Sequence, residues 1–187
     1  EGRHLGFGQV GGTSMASPHV AGAATMIRQI HRDWTPAMIK SALMSTSKYM
    51  DVWVGDRPAQ PLDMGAGRLD LTNAADPGVI LSPPSLSYGW QLVGTSKTIE
   101  VTLSSVAAGA ETYAVTTVDT RGGFTATTAV KGMTVSPTTV NVPAGGTAKF
   151  NVTWNTTDLP LGDAQGFVVL TGEKYKAHLP AWTRVTP

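Results

Sequence analysis

The sequence predicts a mostly β protein, in which an antiparallel β-sandwich follows a helical N-terminal segment. Composition changes near residue 79, because six of the seven methionines precede that position, whereas five threonines precede it and twenty follow. Methionine is typical of helices, and β-branched threonine of strands. The turn signals Asp76-Pro77-Gly78 and Pro83-Pro84 place the boundary at about 78–84. We therefore expect two domains, at 1–78 and 79–187.

The helical elements of the first part are predicted from their start signals. One helix is expected from Ser14 to Ile30, where Thr13 or Ser14 is the candidate cap and Pro18 falls in the first turn. Residues 20–27 are small and apolar on every side, which predicts a helix enclosed by protein. A second helix is expected from Thr35-Pro36 to about residue 46. A glycine-rich turn at 63–68 then leads to a short segment at 69–75.

The strands of the second part are predicted from period-two alternation. Residues 99–103, 148–154 and 175–179 alternate, and 167–170 form a short apolar run. Further candidates lie at 112–118, 125–130 and 133–142. Six to eight short strands with turn signals between them predict an antiparallel sandwich.

Charge and cysteine content exclude several functions. The net charge is +1, and residues 1–79 and 80–187 are each nearly balanced, so we expect no nucleic-acid partner. The absence of cysteine excludes disulfides and thiolate-zinc sites. No histidine pair has metal-ligand spacing, and we predict neither a metal nor a cofactor. The glycine- and proline-containing stretch 4–27 predicts neither a membrane span nor a signal peptide.

The segment Gly12-Thr13-Ser14-Met15-Ala16-Ser17-Pro18-His19-Val20-Ala21-Gly22 carries the candidate chemistry. A serine at the start of a helix has its own backbone N–H among the unpaired donors of the helix terminus. A nucleophile and an oxyanion-binding donor then lie at one position, which is what acyl transfer needs. An N-cap role alone is the alternative for Ser14.

This segment resembles the nucleophile motif of the subtilisin-like serine proteases (the subtilases, peptidase S8 family) over eleven consecutive residues. The resemblance continues at 31–44, which is similar to the following helix, and at 63–70, which is similar to the glycine turn that closes the catalytic domain. It implies that Ser14 is the catalytic serine and that Gly12, Thr13 and Met15 lie beside the substrate and the oxyanion, with Met15 at the site wall.

The resemblance also implies that much of the catalytic machinery precedes residue 1. The family order is Asp, then His, then Ser, so the triad Asp and His and the oxyanion Asn would belong to an upstream segment. The chain opens at Glu1, as a piece of a longer precursor would. We expect this fragment alone to be inactive, and its exposed apolar helix to be hidden by self-association, by exchange with a partner copy or by docking on the sandwich.

Residues 79–187 resemble, diffusely, the fibronectin-type-III-like domain that often follows a subtilase catalytic domain. The expected architecture is therefore an antiparallel fibronectin-III-like β-sandwich preceded by a helical C-terminal piece of an α/β subtilase catalytic domain. The implied function is hydrolysis of protein or peptide substrates by a secreted serine endopeptidase. The alternative is a non-catalytic accessory module that binds proteins or the cell surface or stabilises the protease.

The remaining polar and aromatic candidates have simpler interpretations. His19 is five residues after Ser14 and projects about 140° away on a helix, so we do not expect it to be the base. His4 and His31 are expected in loops or at helix ends, and His178 facing outward on a strand. Asp63 and Asp70 are expected to cap turns, with calcium binding as the alternative.

Two further patterns remain open. Asn151-Val152-Thr153 and Asn155-Thr156-Thr157 fit the glycosylation sequon, which matters only in a eukaryotic secretory route. Trp90, Trp154 and Trp182 are expected in the core or at the edge of the sandwich, and the alternative for them is a sugar-binding aromatic face.

Overall fold

The computed structural model describes residues 11–124 and 128–187, in which a helical part precedes a two-sheet β-sandwich. The first part contains four helices and one small hairpin: α1 (Thr13–Ile30), α2 (Pro36–Ser45), β1 (Trp53–Val54), β2 (Arg57–Pro58), α3 (Pro61–Met64) and α4 (Leu71–Ala75). In the described residues, no helix is both long and apolar enough to span a bilayer.

Local capping explains where the short helices begin. The Thr35 hydroxyl accepts a hydrogen bond from the Met38 N–H at 3.3 Å, and Pro36 is the first residue of α2. Asp70 caps α4 in the same way through the Asn73 N–H. Asp63 closes a capping box at α3 by accepting from the Gln60 N–H at 2.9 Å. Both aspartates therefore cap helices at this turn, as predicted.

In the part of the sandwich that the structure describes, nine strands form two sheets. They are β3 (Val79–Ser82), β4 (Leu86–Leu92), β5 (Ser96–Ser105), β6 (Glu111–Val118), β7 (Met133–Ser136), β8 (Thr139–Val142), β9 (Thr147–Asn155), β10 (Gly162–Thr171) and β11 (Lys176–Thr186). One sheet has the order β4-β11-β10-β6-β8 and the other β3-β5-β9-β7. The predicted mostly β, antiparallel sandwich is confirmed, although β4 pairs with β11 in parallel.

Three segments differ from the expected strand pattern. The segment expected as a linker at 78–84 contains β3, whose short run of apolar residues is buried. The candidate at 133–142 forms two strands in different sheets, because Pro137 interrupts the ladder between them. Of the candidate at 125–130, residues 125–127 lie outside the described residues, and Thr128 makes a single bridge to Asp119.

Two apolar clusters hold the chain together. The larger lies between the two sheets and contains the fully buried rings of Tyr88, Phe150 and Trp154. The smaller joins the helices to β3 and consists of Ala23, Ile27, Trp34, Ile39, Ala42, Leu43, Ala74 and Ile80. The backbone N–H of Leu81 also donates to the Ser41 hydroxyl at 2.8 Å. The helical part therefore docks on the sandwich.

Helix α1 is covered on one face only. Ala23 and Ile27 are the buried residues of this helix, whereas Val20, Met26 and Ile30 are 45%, 53% and 61% exposed. The buried face packs on α2 and α4, whereas enclosure of the whole helix by protein stays a prediction for the longer precursor. The small apolar residues on its other sides have no cover among the residues that the structure describes.

Candidate active site

Ser14 is the second residue of α1 and follows Gly12 by two positions. Gly12 is the N-cap with φ 142°, a backbone conformation that residues with a Cβ rarely adopt. Its carbonyl accepts the first hydrogen bonds of the helix, from the Met15 and Ala16 N–H groups at 3.0 and 3.1 Å. The expectation that Thr13 or Ser14 caps this helix is therefore wrong, because neither side chain makes a capping hydrogen bond. Thr13, Ser14 and Met15 are all exposed at this terminus, where the backbone N–H groups of Thr13 and Ser14 have no acceptor within the helix.

This geometry suits attack on a carbonyl by the serine hydroxyl. The Ser14 Oγ and the adjacent first-turn N–H groups lie on the same exposed end of α1, where the helix dipole favours developing negative charge. The side chain of Met15 is 41% exposed beside it. A Cβ at Gly12 would meet no atom within 4 Å. Glycine is therefore favoured there by the backbone conformation and not by crowding.

The histidine nearest in sequence is engaged elsewhere. His19 Nδ1 lies 2.6 Å from the carbonyl oxygen of Met15, one turn earlier on α1. His31 is the C-cap of α1; its ring stacks on Trp34 at 3.7 Å, and its Nε2 is 2.7 Å from the Ala75 carbonyl. His4 lies outside the described residues. Within the described ranges, no hydrogen bond joins Ser14 to a histidine or a carboxylate, and no cluster of three potential ligands could hold a metal.

His178 lies in a buried contact between the helical part and the sandwich. Its Nε2 is 2.7 Å from the Ala66 carbonyl and 3.4 Å from the Ser47 hydroxyl, and its ring lies 4.5 Å from Tyr49 and 5.7 Å from Phe167. His178 lies on the face of β11 that points away from the core between the two sheets, as expected. It is nevertheless buried in the whole chain, because residues 45–67 cover this part of the sheet and leave the side chain 3% exposed.

Burial determines the protonation state of this histidine. Desolvation lowers the pKa of His178 to about 4, partly opposed by hydrogen bonds to the backbone of Ala66 and Ser45. A cleft of about 400 Å³ adjoins it, and the charged residues that line this cleft are Lys48, Asp51, Asp76, Lys174 and Lys176. The imidazole is therefore neutral at pH 7, which suits a packing role and excludes a charged one.

Trp90, Trp154 and Trp182, which were all expected in the core or at the edge of the sandwich, differ in their burial. Trp154 is fully buried in the core, where its indole N–H donates to the Lys131 carbonyl. Trp90 is 76% exposed on the edge strand β4. Trp182 is half-buried, and its N–H donates to Asp163. The pairing of Asp163 with Arg184 beside Trp182 was not expected from the sequence, because it depends on the register of β10 on β11 far from the turn that joins them.

Comparison with known proteins finds relatives of the first part of the chain. Residues 3–82 match the model of the subtilase family. The chain is 44% identical over 85 residues to the subtilisin-like protease SBT1.3 of Arabidopsis thaliana, covering 42% of this chain and 11% of the relative. It is 40% identical over 84 residues to the subtilisin-like protease SBT3 of Solanum lycopersicum, covering 41% and 11%. The chain thus spans about a tenth of the length of these relatives.

Comparison with solved structures finds matches of low sequence identity that cover somewhat more than half of this chain. The CupB2 chaperone of Pseudomonas aeruginosa has a TM-score of 0.46 at 12% identity, covering 57% of this chain and 55% of that one. A PapD-like domain of human CEP192 has a TM-score of 0.42 at 16% identity, covering 59% and 86%.

Proposed function

On the premise that residues 3–82 are a segment of a subtilase, we propose that the chain is the C-terminal part of a secreted serine endopeptidase whose nucleophile is Ser14. Proteins and peptides are then its substrates. The observation that carries the proposal is the position of Ser14 in the exposed first turn of α1, after the φ 142° glycine Gly12. The hydroxyl and the first-turn N–H groups can both reach one substrate carbonyl there.

The catalytic cycle requires groups that the described residues do not supply. Ser14 would attack the scissile carbonyl while a histidine accepts its proton and an aspartate orients that histidine. His19, His31 and His178 each contact a backbone carbonyl elsewhere in the described chain. In this proposal, the base, its aspartate and the oxyanion asparagine come from a preceding segment of the parent enzyme. The 187-residue chain alone is therefore inactive.

A serine-directed fluorophosphonate probe tests this proposal. The full-length parent should be labelled and should lose labelling in the Ser14→Ala variant, whereas Ser17→Ala, three residues along the same helix, should leave labelling intact. The isolated chain should react no faster than its own Ser14→Ala variant. Labelling of the parent that survives Ser14→Ala would refute the assignment of the nucleophile, and Ser14-dependent turnover by the isolated chain would refute its inactivity.

A second function, stabilisation of the protease segment by the sandwich, is supported by the hydrogen bonds between the two proposed domains, 1–78 and 79–187. Gln60 Nε2 donates to the Thr120 hydroxyl at 2.7 Å, and the Leu62 N–H donates to Gln165 Oε1 at 2.8 Å. The buried imidazole of His178 adds a third contact to the Ala66 carbonyl. In the full-length parent, Gln60→Ala should shorten the half-life at elevated temperature while kcat of the surviving enzyme is unchanged. An unchanged half-life would refute this role.

A further inference from the structure

The outer face of the five-stranded sheet carries two tryptophans, of which Trp90 is exposed and Trp182 is half-buried beside α3. Trp90 on β4 lies opposite Arg184 on β11, which lies opposite Asp163 on β10. Trp182 is two residues before Arg184 on β11. We call Trp90, Trp182, Arg184 and Asp163 the tryptophan patch.

The strand register sets the direction of these side chains. Ala181 and Val185 belong to the core between the sheets, so the alternate residues Trp182 and Arg184 face outward. On β4 the register shifts by one residue at Gly89, which has φ 70°. Trp90 therefore faces the same side as Arg184 and is 76% exposed.

Hydrogen bonds fix the polar members of the patch. The Trp182 N–H donates to Asp163 Oδ1 at 3.1 Å, and Arg184 Nη1 donates to both oxygens of the same carboxylate at 3.4 and 3.2 Å. The side chains of Arg184 and Asp163 remain 48% and 35% exposed. Guanidinium donors and carboxylate lone pairs are thus still available to a ligand, while the two charges cancel.

We propose that the tryptophan patch binds an uncharged polysaccharide. Flat indole rings present the apolar surface against which the C–H faces of pyranose rings pack, and the fixed Asp163–Arg184 pair can bond neighbouring hydroxyl groups. From the strand spacing, the Cα atoms of Trp90 and Trp182 are about 8 Å apart, a distance comparable with the length of one or two sugar rings. The balanced charge favours neutral over acidic sugars.

The edge of the sheet beside the tryptophan patch is unsuited to pairing with an additional strand, which favours a ligand that binds on the face of the sheet. β4 is the edge strand, and Lys97 Nζ donates to its Tyr88 carbonyl at 2.8 Å. A lysine at a sheet edge disfavours pairing with a second copy or with an extended peptide. The exposed rings stand on the face of a hydrogen-bonded sheet, so the spacing of the patch is already set before a ligand arrives.

Titration calorimetry of the 187-residue chain with cellohexaose, xylohexaose and mannohexaose tests the proposal, with trigalacturonate as the acidic comparator. At least one neutral hexasaccharide should bind, and Trp90→Ala should weaken that binding about tenfold, as loss of one aromatic contact predicts. Trp182→Ala should also weaken it. The matched control is Trp53→Ala, because Trp53 is 54% exposed but lies on the β1–β2 hairpin.

Three outcomes would overturn the proposal. The first is that none of the neutral sugars binds at millimolar concentration, and the second is that Trp53→Ala weakens binding as much as Trp90→Ala. The third is that sedimentation shows a dimer that Trp90→Ala dissociates, since the surface would then be a protein interface. Thermal melts of each variant separate lost binding from lost folding, and Trp90→Phe, which keeps an aromatic face, should retain binding.

Discussion

Acidification should destabilise this protein through His178, by an amount that follows from its burial. The pKa of this imidazole is 6.5 in the unfolded chain and about 4 in the folded one. Because the folded state binds fewer protons, the stabilisation is fully present above pH 6.5 and is lost as the pH falls from 6.5 towards 4. Each pH unit in this window costs about 1.4 kcal/mol. The free energy of unfolding should therefore fall by about 2 kcal/mol between pH 7.5 and pH 5.

Urea denaturation at pH 7.5, 6.5, 5.5 and 5.0 measures this fall against a variant that cannot titrate. His178→Gln keeps an amide donor near the Ala66 carbonyl, so its unfolding free energy should change less with pH than that of the wild type. The difference between their slopes isolates the imidazole from the lysines and aspartates that line the neighbouring cleft. His19→Gln, at an exposed histidine on α1, is the matched control and should behave as the wild type.

Parallel loss of stability in the wild type and His178→Gln over this range would refute the reasoning. It would mean that His178 is as accessible to protons in the folded chain as in the unfolded one. Such a result would contradict its close contacts with Ala66 and Ser47.

Three further outcomes follow from the fold and the candidate site. A chain of residues 79–187 should show a cooperative thermal transition, because the core between the sheets lies within it; a melt without a transition would contradict this. Trp154→Ala should lower the free energy of unfolding by about 3–5 kcal/mol in urea denaturation, whereas Trp90→Ala should change it by less than about 1 kcal/mol. In the full-length parent, peroxide should lower turnover by oxidising Met15, and Met15→Ala should resist this loss; equal inactivation rates would remove Met15 from the site wall.

Local signals in the sequence were enough to predict the start of α2 and most of the strands. Thr35-Pro36 specifies that helix start through contacts within three residues, so no tertiary information was needed. Alternation likewise identified β5 and β9. The start of α1 was predicted to within two residues, although its cap is Gly12 and neither Thr13 nor Ser14. Asp70 was expected only to cap a turn, and α3 was not predicted.

The features that sequence reasoning missed depend on contacts between distant segments. Alternation placed His178 on the outer side of its strand, but only the docked helical part makes that side buried. The outward direction of Trp90 depends on the pairing of β4 with β11, which no residue near it in the sequence specifies. β3 and β4 were missed because one is a four-residue strand and the other pairs in parallel with a strand about 95 residues later.

The position of β11 in its sheet has a consequence for synthesis of the chain. This strand lies between β4 and β10, although it is the last of the three to be made. A ribosome must release residues 176–186 before the five-stranded sheet can be completed, so the sandwich closes late. The helical part, made before the sandwich, gains its His178 contact only then. A nascent chain therefore carries its apolar helices without their final support, and a cell must protect them from aggregation for that interval.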